Sequence, residues 1–497
     1  MKTRDTLLLC LLVTFVLAVP AYAAPCESLS ALKLADTTIT SAQSVAAGAA
    51  GGGGRGAAAA PLPAYCRVQA TIKPSSDSEI KIEVWMPATG WNGKFQGVGN
   101  GGWSGSIGTA ALQTAIRAGY ASASTDTGHD GGSASFALGH PEKVVDFGYR
   151  AVHEMTVKGK AITAAFYDNT NPRYSYFVGC SAGGKQAMKE AQMFPADYDG
   201  VVAGSPGVNW SGRALLSVWV GQATAQTALP REKFAVLNNA AIAACDANDG
   251  VKDGVIENPT QCKFDPVVTQ CKTGDAADCL TTGQVETARK IYGPAINSRT
   301  KQTVVAGFSP GSELGWTTMA GPQPFGLGID LFKYIVYSDP NWDFKTFNWD
   351  SDVTKTVQAS KDMDAMDANL KPFFDRGGKI ISYHGWADPQ ISPGSTVGYY
   401  ESVLAKMGGA SKVQENYRLF MVPGMAHCGN GQTGVGTDQF DMLAALENWV
   451  EKKQAPASIA ASKASQPQRT RPLCPYPQAA IYKGSGSTDD AANFTCK

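Results

Sequence analysis

Apolar and polar positions alternate in two different rhythms along this chain. Tyr65–Ile72 and Ile80–Met86 read as strands, with Ile82 and Val84 alternating against charged neighbours. Lys94–Val98 is a further short strand and runs into the glycine cluster Gly99-Asn100-Gly101-Gly102. Val144, Phe147, Ala151, Met155, Ile162 and Phe166 then fall on one face of a helical stretch. Tyr174–Val178 predicts a strand leading straight into Gly179-Cys180-Ser181-Ala182-Gly183, with a helix from Lys185. Near the end the alternation resumes: a helix before Gly377, strand Lys379–Tyr383, a helix around Tyr399–Met407, strand Tyr417–Val422 and helix Phe440–Val450. Strands separated by helices imply a mostly parallel sheet covered on both faces, an α/β architecture.

Between about Pro206 and Lys371 this rhythm breaks. The segment holds Trp210, Trp219, Trp316, Trp342 and Trp349, four cysteines and an acidic, glycine-rich loop. It predicts a lid domain over residues 207–366, inserted after the strand that carries Ser181, with residues 24–206 and 367–497 forming the core. Ala47–Pro63 (AGAAGGGGRGAAAAPLP) is of low complexity and is expected to be a surface loop.

The N-terminus changes the picture by setting a compartment. Lys2 and Arg4 precede the apolar run Leu7–Ala18, and Ala21-Tyr22-Ala23 supplies a small-x-small cleavage pattern, so residues 1–23 are expected to be a signal peptide. The run is too short for a membrane span, which needs ~20 residues, and no later stretch approaches that length. Of eleven cysteines, Cys10 would leave with the leader. The ten that remain, with no CxxC pair among them, favour disulfides over thiolate metal sites in an exported chain. Lys plus Arg equals Asp plus Glu, 43 of each, so no net charge draws the protein to nucleic acid or an anionic membrane.

Candidate chemistry begins at Gly179–Gly183, which fits the G-x-S-x-G nucleophile elbow. In so tight a strand-to-helix turn, a β-carbon at either flanking glycine would clash. A nucleophilic Ser181 needs a base, and the chain has five histidines: His129, His140, His153, His384 and His427. The α/β-hydrolase order is serine, acid, histidine. His427 lies in a loop just beyond strand Tyr417–Val422, and Asp388 follows strand Lys379–Tyr383, so both stand where that fold places base and acid. Asp375 precedes its strand, Asp438 follows the histidine, and His384, four residues from Asp388, is expected to be structural. The oxyanion hole would combine the Ala182 N–H with that of Gly101 or Gly102, two choices the sequence leaves open. The glycine cluster lacks both GK[ST] and a dinucleotide fingerprint, which argues against phosphate binding.

Cysteines stand beside both the serine and the histidine, as Cys180-Ser181 and His427-Cys428, with Asp388 between them. This CS-D-HC pattern resembles the tannase and feruloyl esterase family over essentially the whole mature chain. The resemblance implies an α/β-hydrolase fold with a large lid and a Cys180–Cys428 disulfide strapping nucleophile loop to histidine loop. The other cysteines pair plausibly as Cys26–Cys66, Cys245–Cys262, Cys271–Cys279 and Cys474–Cys496. Short separation supports the last three, while the first rests on elimination and resemblance. Residues 246–255 resemble the family's calcium loop, with Asp246, Asp249 and Asp253 and the carbonyls of Val251 and Val255 as ligands of a structural Ca²⁺. It is not an EF-hand: Glu257 falls twelfth, but Val251 replaces the sixth-position glycine and Gly250 the fifth-position ligand.

The activity so implied is hydrolysis of small aromatic esters, hydroxycinnamates first, by a secreted serine enzyme forming an acyl-enzyme, with no organic cofactor. Gallate esters are the next alternative and the mono(2-hydroxyethyl) terephthalate ester the third. Family members acting on the last hold its carboxylate with a lid arginine, and no arginine lies between Arg299 and Arg376. An inactive, secreted binder of polyphenol or carbohydrate is the alternative from a different class.

Overall fold

The computed structural model describes residues 24–48, 61–463, 465 and 468–497. The expected leader at 1–23, and most of the low-complexity loop, lie outside the described residues.

Nine strands form the main sheet: β1 (Thr37–Val45), β2 (Tyr65–Ile72), β3 (Ile80–Pro87), β4 (Lys94–Val98), β5 (Ala121–Thr125), β6 (Tyr174–Cys180), β7 (Gly200–Gly204), β8 (Lys379–Gly385) and β9 (Tyr417–Val422). Their spatial order is β1-β2-β3-β5-β4-β6-β7-β8-β9. The pairs from β1 to β5 are antiparallel and those from β5 to β9 parallel. This is the α/β arrangement expected, with an antiparallel flank at one edge. Helix α1 (Ala151–Phe166) follows β5 after a short helical turn and a wider π-turn over Asp146–Arg150, so the apolar face from Val144 to Phe166 is not one regular helix. Helix α1 rides close to the sheet at Gly159, where a β-carbon would come within 3.0–3.2 Å of Phe95 and Ala123.

Helix α2 (Ala182–Met193) starts three residues before the position its apolar pattern indicates, because the turn at Ser181 itself launches it. The inserted segment leaves the sheet after β7, one strand later than the strand carrying Ser181, and returns at β8. It includes α3 (Trp210–Gln226), α4 (Glu232–Cys245) and α5 (Gly326–Leu331). Its own core gathers Phe234, Leu237, Val285, Ile291 and Trp316. A second apolar cluster joins the inserted segment to the sheet, packing Trp210, Leu215 and Phe332 against Trp103, Phe147 and Ala182. Helices α6 (Pro393–Met407) and α7 (Met442–Lys452) complete the core fold. No helix of the described residues is long and apolar enough to cross a membrane.

Candidate active site

Ser181 sits at the junction of β6 and α2 with φ +63° and ψ −119°, a left-handed conformation that costs free energy for a residue with a β-carbon. Its neighbours make room. A β-carbon on Gly179 would lie 2.5 Å from the Gly183 backbone, and one on Gly183 would lie 3.0 Å from the Asn100 carbonyl. The serine N–H donates to the Gly204 carbonyl at 2.9 Å and its own carbonyl accepts from Gly207 at 3.1 Å, which ties the turn to the end of β7.

Asp388 and His427 meet because the ends of β8 and β9 are laced together. Trp386 N–H donates to Val422 and Ala387 N–H to Met425. Gly385 lies so close to Met425 that a β-carbon would come within 2.1 Å of its carbonyl oxygen. Asp388 Oδ2 then lies 2.7 Å from His427 Nδ1. The same oxygen lies 3.0 Å from His384 Nε2, and His384 Nδ1 lies 2.7 Å from the Thr396 hydroxyl. A carboxylate partner assigns the proton to each facing ring nitrogen. Asp388 Oδ1 accepts the N–H groups of Gln390 and Ile391 at 2.8 and 3.0 Å. Burial would raise this carboxyl's pKa, but the charge of His427 and hydrogen bonds from both histidines hold it well below the ordinary carboxylate range.

Cys180 and Cys428 are bonded, their Cα atoms 6.0 Å apart, so a covalent strap joins the residues next to Ser181 and His427. The structure also pairs Cys26–Cys66, Cys245–Cys262, Cys271–Cys279 and Cys474–Cys496. Cys180→Ser and Cys428→Ser each break the same strap, so the double variant is expected to be no worse than either single one. The stability loss should be ~2–4 kcal/mol, with a proportionally larger fall in turnover as the two loops lose registration. Additive losses across the three variants, in melting curves and rates, would show two independent residues instead.

Ala182 opens helix α2, where the N–H has no intrahelical partner. Gly101 and Gly102 stand on the loop after β4, and among the described residues neither N–H donates to a protein acceptor. Gly102 has φ +54° and faces Leu327 of α5; nothing lies within 4 Å of a β-carbon at Gly101. The loop itself is held by residues that pattern reading passed over. Asn100 gives its side-chain NH₂ to the Thr125 and Ser106 carbonyls, and its carbonyl accepts from Gly183. Gln186, one turn into α2, accepts the Asn100 N–H at 3.0 Å. His129 lies 2.8 Å from the Trp103 carbonyl. A polar residue inside a glycine cluster was the only sequence signal for this lock.

Arg213, on α3 of the inserted segment, carried no sequence signal either. It is buried, stacked 4.4 Å over Trp210, and donates from Nη2 to the Leu327 carbonyl at 3.3 Å, while its Nε has no partner. Burial lowers its pKa to about 10, with the Asp388 carboxylate opposing. It lies outside the 299–376 stretch that lacks arginine.

In the acidic loop, Asp246 accepts the N–H groups of Asp253, Gly254 and Val255, and Asp249 accepts that of Val251. Asp253 also pairs with Arg469 and Arg471 from the C-terminal strands. The carbonyls of Val251 and Val255 accept no hydrogen bond among the described residues, although both residues are buried. Asp249 is pushed up by burial and by Asp253 and Asp246 beside it. Two free carbonyls and mutually repelling carboxylates are a donor set that suits a hard cation.

A family model described as tannase and feruloyl esterase matches residues 66–497. The chain belongs to that family. An uncharacterised esterase of Xanthomonas campestris pv. campestris is 38% identical over 95% of this chain and 91% of its own length. A probable feruloyl esterase B-2 of Aspergillus fumigatus is 34% identical, covering 87% of this chain and 86% of its own. The crystal structure of feruloyl esterase B from Aspergillus oryzae superposes with a TM-score of 0.87 at 31% identity, covering 95% of this chain and 99% of that one. The tannin acyl hydrolase of Aspergillus niger shares the fold, with a TM-score of 0.79 at 23% identity, over 96% of this chain and 93% of that one. Membership makes this protein a carboxylic ester hydrolase.

Proposed function

We propose that the protein is a secreted feruloyl esterase-type enzyme in which Ser181 attacks the ester carbonyl of an aromatic acid. His427, oriented by Asp388, takes the serine proton and returns it to the departing alcohol, and water then releases the acid from the acyl-enzyme. The N–H groups of Ala182 and of Gly101 or Gly102 stabilise the oxyanion. The observation that carries this reading is the 2.7 Å Asp388–His427 contact, strapped by Cys180–Cys428 to the turn that presents Ser181. An aromatic acid is supported by the feruloyl esterases among the relatives and solved structures. Export is supported by the leader pattern and five disulfides.

One observation favours the terephthalate monoester as a second reading. Arg213 is a lid arginine after all, and a buried guanidinium with an unbonded Nε suits a substrate carboxylate. Rates on methyl ferulate, methyl gallate and the terephthalate monoester decide, with methyl ferulate expected first. Absence of p-nitrophenol release from a short-chain ester would instead leave a binding protein.

The acidic loop would hold Ca²⁺ through Asp246, Asp249, Asp253 and the carbonyls of Val251 and Val255, its role being to fold the loop and not to touch the ester. EDTA is expected to lower the melting temperature by about 3 °C, with calcium restoring it, and Asp249→Ala should be insensitive to either. Superimposable melting curves for calcium-loaded and chelated protein would remove the ion from this account.

A further inference from the structure

Behind the nucleophile helix lies a second cluster of ionisable groups that ester hydrolysis does not use. His153 projects from α1, Glu190 from the last turn of α2, and Asp197 from the loop between α2 and β7. One ligand atom from each can be chosen so that all three lie within 4.8 Å of one another. His153 Nδ1 is 2.7 Å from Asp197 Oδ2, and its ring stacks on Phe194 with centroids 3.8 Å apart. Glu190 is 1% exposed, no N–H or hydroxyl of the described residues donates to its carboxylate oxygens, and burial together with the Asp197 carboxyl within hydrogen-bond reach pushes its pKa well up.

A buried carboxyl group without a donor is costly, and a second carboxylate beside it makes the cost larger. Lys160 offsets this cost only in part and through space. Lys160 Nζ donates to the backbone carbonyl of Asp197 and lies over the Tyr198 ring, and among the described residues it forms no ion pair with either carboxylate. What the cluster presents is an imidazole nitrogen and two carboxylates converging on one point, two of the three residues partly open to solvent. One nitrogen and two oxygens, with room for water in a fourth position, match the ligand preferences of zinc and its first-row neighbours better than those of calcium. Bonds of ~2.0–2.2 Å put tetrahedral ligands about 3.3 Å apart, so the 2.7 Å His153–Asp197 contact would open by about 0.6 Å and any wider separation within the 4.8 Å cluster would close.

We propose that His153, Glu190 and Asp197 form a divalent-cation site, with zinc the preferred ion, that ties α1 to the C-terminal end of the nucleophile helix and the loop after it. The ion neutralises Glu190 and holds the rear of α2, whose front end presents Ser181, and takes no part in the ester chemistry.

The test is titration of the full-length protein with Zn²⁺ in excess calcium, read by calorimetry and melting temperature. One equivalent of zinc should bind and raise the melting temperature. Glu190→Gln and His153→Ala should each weaken binding tenfold or more with ester turnover unchanged, while Asp249→Ala binds zinc as wild type. His153 is partly exposed, so His153→Ala keeps the test readable if Glu190→Gln folds poorly. No bound zinc, which would leave Glu190 and Asp197 sharing a proton, or equal zinc affinity in wild type and both variants, overturns the proposal.

Discussion

Ser181→Ala is expected to cut kcat by about 10⁶-fold while leaving the melting temperature within ~1 °C of wild type. The serine hydroxyl makes no packing contribution that alanine would lose, and the turn that holds it is built from the glycines and from the backbone bonds to Gly204 and Gly207. The left-handed backbone at this position strains alanine as it strains serine, so no new strain enters. Turnover that remains should be the rate supplied by binding and the oxyanion donors, on the order of 10³–10⁴ over water. Steady-state rates on methyl ferulate, with circular dichroism as the control for folding, make the measurement. A variant retaining a tenth of wild-type turnover would mean that another group attacks the ester.

Asp388→Asn should cost about 10⁴-fold in kcat, and the hydrogen bonds around Asp388 say why. Asparagine can accept on one side only. The N–H groups of Gln390 and Ile391 both point at Oδ1, so the amide oxygen must stay there and the NH₂ must take the place of Oδ2. That NH₂ then faces both histidines. His427 can accept at Nδ1 only by moving its proton to Nε2, where it can no longer take the proton of Ser181. The depressed carboxyl pKa adds a pH signature. A group whose folded pKa lies below its unfolded value stabilises the fold fully above the ordinary carboxylate range, near 3.9, and loses that contribution as pH falls toward the folded value. The stability gap between wild type and Asp388→Asn should therefore close as pH falls below about 4. Urea melts at stepped pH read this directly, and a gap that stayed unchanged between pH 5 and about pH 2 would contradict an ionised, buried Asp388.

The sheet strands legible from pattern were those with alternating or bulky apolar residues, such as β2, β3 and β9. Three were not. Strand β1 is polar on an edge, so its half-exposed residues carry no apolar stripe. Strands β5 (ASAST) and β7 (GVVAG) are fully buried yet built of small residues, because helices press against both faces of the central sheet and leave no room for larger ones. Composition in such strands answers to what packs on them, which lies far away in the chain.

The site divides in the same manner. Ser181, Asp388, His427 and the two adjacent cysteines stood out from sequence because each lies in a local signal: a glycine-bounded turn, or a polar residue just past the end of an apolar strand. Chain order alone limited which acid and which histidine could serve. Tertiary structure decided everything that depends on two distant segments meeting. It put His384 beside His427 on one oxygen of Asp388, locked Asn100 to Gln186 across 86 residues, and left the buried Arg213 with its Nε unbonded. A histidine, a glutamine or an arginine inside a helix or strand reads alike whether it faces solvent or the site. Its chemistry is set by the partners within about 3 Å, and those partners are assigned only when the sheet and the lid close around it.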